Sequence, residues 1–119
     1  VRLAGRGVMD GVICSLDELA DKQCREFELT QDGETVPAFV LRLGDKVVAY
    51  RNHCPHTGAP LNWNPDEFLN YEKEFIQCAI HGALFRPADG FCLHGPCNGK
   101  SLQPIAITVE AGVISTKSQ

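Results

Sequence analysis

Two mixed cysteine–histidine motifs, set far apart, restrict this chain more than anything else in it. Cys54-x-His56 lies in "NHCPHTGAPL" (52–61), and after 21 intervening residues Cys78-x-x-His81 lies in "CAIHG" (78–82). A lone Cys-x-His in a loop is usually incidental. Two such pairs, each beside a glycine (Gly58 and Gly82), require a fold that brings two loops to one point. Glycines at these places let the backbone pass close to a bulky inorganic group and aim its N–H groups at it. Thiolate and imidazole donors together suit zinc or an iron–sulfur cluster. A structural zinc site usually draws its ligands from a cysteine pair and a histidine pair. Mixed pairs suit a dinuclear centre with the cysteines on one metal and the histidines on the other. A structural zinc-binding interaction domain is the alternative.

The other cysteines bear on this choice. Six in 119 residues imply either disulfides or metal binding, and their interleaving with histidines favours metal. Cys92-x-His94 mimics the first pair and would supply ligands in the zinc alternative. His53, next to Cys54, points away from it in an extended loop and reads as a surface residue. Cys14 and Cys24 flank a predicted helical turn and read as buried thiols. Trp63 reads as a core anchor and Asp66/Glu67 as a solvated turn.

The rest of the chain consists of short alternating runs broken by turns. In "AFVLRL" (38–43), Phe39, Leu41 and Leu43 share a face; "GDK" (44–46) turns and "VVAYR" (47–51) returns, which predicts a β-hairpin. Further strands are expected in "EFIQCAI" (74–80), "ALFR" (83–86) and "FCLH" (91–94), with a turn at "PADG" (87–90). "PIAITVE" (104–110) and "VISTK" (113–117) form a last pair around Ala-Gly. Ser15 with Glu18 makes a capping box, and Asn64, Pro65 and Glu67 make a second helix start, but neither stretch continues as a core helix. Many short strands at close spacing predict an all-β antiparallel sandwich or barrel.

"CPHTGAPL" and "CAIHGALF" together resemble the Rieske iron–sulfur proteins. The resemblance runs from about Ile13 to about Ser115. "ICSLDEL" is similar to the start of small Rieske ferredoxins, and "DGFCLHGPCNGKSL" to the loop whose proline, here Pro96, covers the cluster. The resemblance implies one [2Fe-2S] cluster per chain, with Cys54 and Cys78 on the inner iron and His56 and His81 on the outer, surface-proximal iron. It places Cys92 and His94 outside the ligand set and Cys97 in the covering loop, where a Cys92–Cys97 disulfide is disfavoured in a reducing cytosol. It also implies a single Rieske-like domain over 1–119, with a cluster-binding subdomain at about 52–98.

Two thiolates and two neutral imidazoles leave the oxidised site neutral, where four thiolates would leave it doubly negative, so reduction is easier than in an all-cysteine ferredoxin. High-potential Rieske proteins of respiratory complexes resemble "CTHLGC" and "CPCHGSxY", with a disulfide between the ligand loops and Ser and Tyr hydroxyls bonded to sulfur. Here Ala59 and Ile80 stand at the disulfide positions, and Ala83 and Phe85 at the hydroxyl positions. Without those donors the potential is expected low in the Rieske range of about −150 to +300 mV.

The expected function is one-electron transfer between a flavin reductase and a terminal oxygenase or reductase subunit, by a component that is not itself an enzyme. The chain ends too soon after the β domain to carry the mononuclear-iron domain of a ring-hydroxylating oxygenase. A cluster-based sensor is the remaining class, with no bistable element to favour it. The net charge of −4, without a Lys/Arg cluster, argues against nucleic acid. No apolar run approaches a membrane span and the first twelve residues hold no signal-like apolar stretch, so a cytoplasmic chain with no membrane association is expected.

Overall fold

A computed structural model of the chain describes residues 12–31, 33–55, 60–62, 66–79, 82–95 and 99–116. Among these lie nine strands and one short 3-10 turn, Leu16–Glu18. The strands form three antiparallel three-stranded sheets. In the first, β1 (Val12–Ser15), β9 (Val113–Thr116) and β8 (Ile107–Glu110) run in the order β1-β9-β8. The second is β2 (Cys24–Gln31), β3 (Glu34–Leu43) and β4 (Lys46–Arg51), and the third β5 (Ile76–Gln77), β6 (Leu84–Phe85) and β7 (Cys92–His94), each in sequence order.

The middle sheet is the shared layer, because β3 is apolar on both faces. Phe39, Leu41 and Leu43 alternate with Ala38 and Val40, and residues 38–41 are all buried. The register sets Phe39 opposite Tyr50 and Leu41 opposite Val48 on β4 and Cys24 on β2; Val40 faces Ala49 on the other side of the pleat. One face therefore joins Cys24, Phe39, Leu41 and Tyr50 to a core with Cys54, Leu61, Phe68, Ile76, Cys78, Phe85 and Leu102. The opposite face joins Val40 and Ala49 to Cys14, Leu19 and Ile114 beneath the first sheet.

The expected hairpin is present, with Leu43 paired to Lys46, so that the turn is Gly44–Asp45 and Lys46 already belongs to β4. Gly44 has φ +62, the left-handed conformation a tight hairpin turn requires. The later strands fall inside the expected runs but are shorter. Isolated bridges extend the pattern: Leu69 to Ile76, Phe91 to Ser101, and Tyr50 to Pro104, the last tying β4 to the approach of β8. Ile105 and Ile107 pack against the second core, whereas Val109, next in the same alternation, is exposed.

Ser15 and Glu18 form their capping box: Glu18 Oε1 accepts the Ser15 N–H at 3.2 Å. The second expected helix start falls partly on Asn64 and Pro65, outside the described residues; Asp66, just after them, is a turn residue with φ 63. Among the described residues no helix is long and apolar enough to cross a membrane.

Candidate metal centre

Cys54 and Cys78 come together from opposite ends of the 52–78 segment. Their Sγ atoms lie 3.9 Å apart, with Cys54 1% exposed and Cys78 fully buried. That separation is far beyond the roughly 2.05 Å of a disulfide bond. It matches the distance of about 3.8 Å between two thiolates bound at about 2.3 Å to one tetrahedral metal. The pair thus fits a single iron, the inner one of the expected cluster. Two buried thiolates side by side repel and lose hydration, which a cation between them offsets.

Local backbone geometry presents each sulfur. Cys54 follows the end of β4, where Arg51 N–H donates to Gln103 O and the N–H of Asn52, just past the strand, to Pro37 O. Cys78 opens a closed loop between β5 and β6. Its N–H donates to Ala83 O at 2.9 Å, and its carbonyl accepts the Gly82 N–H at 2.8 Å. Gly82 closes that loop with φ +71. Ala79 N–H donates across to Leu61 O at 2.7 Å, so the second loop is pinned to the far end of the first.

The surroundings of the sulfurs are apolar. Leu61, Phe68, Ile76, Ala83, Phe85 and Cys92 share their core, and Ala83 and Phe85 are wholly buried. The two positions expected to lack hydroxyl donors are thus interior positions. Cys92 is buried and its thiol donates to His94 O at 3.4 Å; His94 itself is exposed. Among the described residues no three His, Cys, Asp or Glu side chains converge, so Cys92 and His94 do not join Cys54 and Cys78. His56, His81, Gly58 and Pro96 lie outside the described residues, as do Ala59, Trp63, Ile80 and Cys97. His53 is exposed, as expected.

Several residues that organise the site carry no motif. Asn52 is the one buried polar residue among those described, at 6% exposure. Its Oδ1 accepts the Leu61 N–H at 2.6 Å and its Nδ2 donates to Asn62 Oδ1 at 2.9 Å. Asn62 in turn donates to Glu26 Oε2 on β2, which also accepts the Asp66 N–H, while Asp66 Oδ1 accepts the Glu26 N–H. Asp66 is therefore a clamp onto β2 as well as a turn residue. Phe68 stacks on Phe39 with centroids 3.9 Å apart and holds the same segment against β3. Burial raises the thiol pKa of Cys14 and pushes that of Cys24 to about 12, which keeps both as neutral packing groups.

Over residues 10–111 the chain matches the Rieske [2Fe-2S] domain family, and it belongs to that family. The cofactor is accordingly a Rieske-type [2Fe-2S] cluster, and the paired sulfurs fit it. The match favours this centre over the zinc alternative. The iron–sulfur subunit of menaquinol:cytochrome c reductase from Bacillus subtilis (strain 168) is 34% identical over 84 residues, covering 64% of this chain. The chain spans about half the length of that curated relative, 50%. Among solved structures, the ferredoxin of carbazole 1,9a-dioxygenase from Nocardioides aromaticivorans IC177 aligns over 92% of this chain and 100% of its own, at 23% identity and TM-score 0.65. A chain in the complex of reduced oxygenase and oxidized ferredoxin in carbazole 1,9a-dioxygenase aligns over 91% of this chain and 95% of its own, at 22% identity and TM-score 0.68. These two likenesses establish the fold.

Proposed function

We propose that this protein is a one-electron carrier, a ferredoxin component between a flavin reductase and a terminal oxygenase or similar oxidoreductase, and not an enzyme in its own right. The observation that carries the reading is the pair of buried sulfurs, Cys54 and Cys78, at 3.9 Å in an apolar core. When bound, a Rieske cluster takes up and releases a single electron. The chain's own residues then have distinct tasks. Cys54 and Cys78 hold the inner iron. His56 and His81 hold the outer iron and form the edge where a partner docks. Gly58 and Gly82 allow close backbone approach, and Pro96 covers the centre. The cluster-binding subdomain spans about 52–98 of one domain over 1–119. Leu61, Ala83 and Phe85 exclude water from the cysteine side.

The choice of an oxygenase-type ferredoxin rests on Ala83 and Phe85. Both are buried where a hydroxyl would favour the reduced, more negative centre, and neither supplies one. The identity to the Bacillus subtilis subunit supports a second reading, an iron–sulfur subunit of a quinol-oxidising complex. A cytoplasmic setting is part of the same proposal.

Purification under nitrogen with iron and sulfide tests the first claim. A red-brown protein with about two irons per chain and a rhombic electron paramagnetic resonance signal on reduction is expected. A colourless protein with one zinc overturns it. The midpoint potential separates the two electron-transfer readings. A value in the lower half of the Rieske range is expected, and one well above zero would favour the quinol-complex subunit.

A further inference from the structure

We propose that Asn52 is a positioning residue that sets the register of the two cysteine loops through the backbone N–H and C=O of Leu61; this rests on the reading that Cys54 and Cys78 hold the cluster. The connection is continuous and short. Asn52 Oδ1 accepts the Leu61 N–H at 2.6 Å, and Leu61 O accepts the Ala79 N–H at 2.7 Å. Asn52 precedes Cys54 by two residues, and Ala79 directly follows Cys78. Leu61 is therefore bonded through its N–H to the base of the first loop and through its carbonyl, in the next peptide group, to the second. Leu61 is fully buried, so its N–H has no water to fall back on.

The residue type follows from the demands at this place. The side chain must accept from Leu61 and donate to Asn62 Oδ1 at the same time, which an amide does and a carboxylate does not. Asn62 must keep its own Nδ2 directed at Glu26 Oε2 on β2. Orienting Asn52 in the reverse sense would set an N–H against the Leu61 N–H, so the network fixes a single amide orientation. The strut thus reaches from the middle sheet through Glu26, Asn62, Asn52 and Leu61 to the residue after Cys78. Its role is to hold the sulfurs at a metal-bridging separation before metal arrives, so that little of the binding energy is spent on ordering the loops.

Site-resolved amide exchange and cluster bleaching by a chelator test this on wild type, Asn52→Ala and Asn52→Asp. In Asn52→Ala the Leu61 and Ala79 amides are expected to exchange about ten-fold faster or more, the size set by one buried N–H left without its acceptor. Bleaching is expected to accelerate by a similar factor, while the β2–β3 amides stay at wild-type rates. Asn52→Asp keeps the acceptor for Leu61 and is expected to restore most of that amide's protection. Val40→Ala, in the core on the opposite face of the middle sheet, is the comparison for simple destabilisation. The proposal is overturned if Leu61 and Ala79 exchange at wild-type rates in Asn52→Ala. It is equally overturned if bleaching speeds up no more than in a Val40→Ala protein of equal stability. If Asn52→Ala does not fold, Asn52→Ser, whose hydroxyl is too short to reach Leu61, carries the same expectation. Exchange is read in the metal-free chain as well, so a failed strut is distinguishable from a failed cluster reading, which a wild type that takes up no iron would reveal.

Discussion

Gly95 lies so close to Ala83 that a Cβ on Gly95 would come 2.8 Å from the Ala83 Cα and 2.9 Å from its Cβ. Gly95 has φ +114, directly before Pro96, and Ala83 directly follows Gly82 in the segment between Cys78 and β6. The end of β7 is thus seated backbone-on-backbone against the segment that follows Cys78. Gly95→Ala adds a steric conflict with main chain and an unfavourable backbone conformation. A loss of about 2–3 kcal/mol is expected in urea unfolding. Ala83→Gly in the same chain should recover only part of it, because the contact with the Cα remains. Full recovery would mean that the Ala83 methyl alone sets the spacing.

The sulfur pair makes a selective prediction about metal content. Cys54→Ser and Cys78→Ser should each reduce bound iron from about two per chain to a small fraction and abolish the visible spectrum. Cys92→Ser should keep both, since that side chain bonds to His94 O and can do so as a hydroxyl. Iron determination and absorption spectra on the three proteins check this. A Cys78→Ser protein that keeps its colour would remove Cys78 from the ligand set.

Hydroxyl donors can be put back where the sequence lacks them. Phe85 is wholly buried in the core that holds both sulfurs, and Ala83 is its neighbour but one. Phe85→Tyr and Ala83→Ser are each expected to raise the midpoint potential. One hydrogen bond favouring the reduced form by about 1 kcal/mol corresponds to about 40 mV for a one-electron couple. Protein-film voltammetry at fixed pH measures the shift. An unchanged potential in both variants would show that low donor count at 83 and 85 is not what sets its value.

These predictions draw on features of unequal visibility in the sequence. The Cys54 and Cys78 meeting was legible, because two mixed pairs have little other use and the flanking glycines mark close approach. The β3–β4 hairpin was legible from Phe39, Leu41 and Leu43. Strand β2 was not read, although Phe27 and Leu29 alternate with charged residues in "CREFELTQ" as a strand requires; Glu26 is exposed, and only the structure shows Asp66 and Asn62 bonded to it. The double-sided burial of β3 was also hidden, since Val40 reads as the outward residue of an alternating strand. Asn52 and Leu61 carry no motif, because a strut made of one side-chain amide and the backbone of one residue depends on tertiary proximity and has no spacing rule. The one available hint was an asparagine directly after a strand and before a ligand loop, where such side chains commonly bond to nearby backbone.

Alkaline pH should destabilise the fold through two buried groups, and the sign can be worked out for each. Desolvation pushes the Cys24 thiol from 9.0 to about 12 and the Tyr50 phenol from 10.0 to about 12; Tyr50 is also raised by Asp89, and its hydroxyl donates to Pro87 O at 2.7 Å. Both folded-state values lie above the unfolded ones. Above pH 9 the unfolded chain gives up the Cys24 proton while the folded chain keeps it, so the unfolded state binds fewer protons and stability falls as pH rises. The contribution is complete below pH 9 and is lost as pH climbs through 12, at up to about 1.4 kcal/mol per pH unit for one proton. Tyr50 steepens the decline above pH 10. Urea unfolding of wild type and Cys24→Ala between pH 8 and 11 isolates the thiol. The variant is expected to be less stable at pH 8, having lost buried sulfur packing, but to decline more gently, so that the two curves converge as pH rises. Parallel curves would mean that Cys24 ionises as readily folded as unfolded, and that burial beneath Phe39 and Leu41 does not shield it.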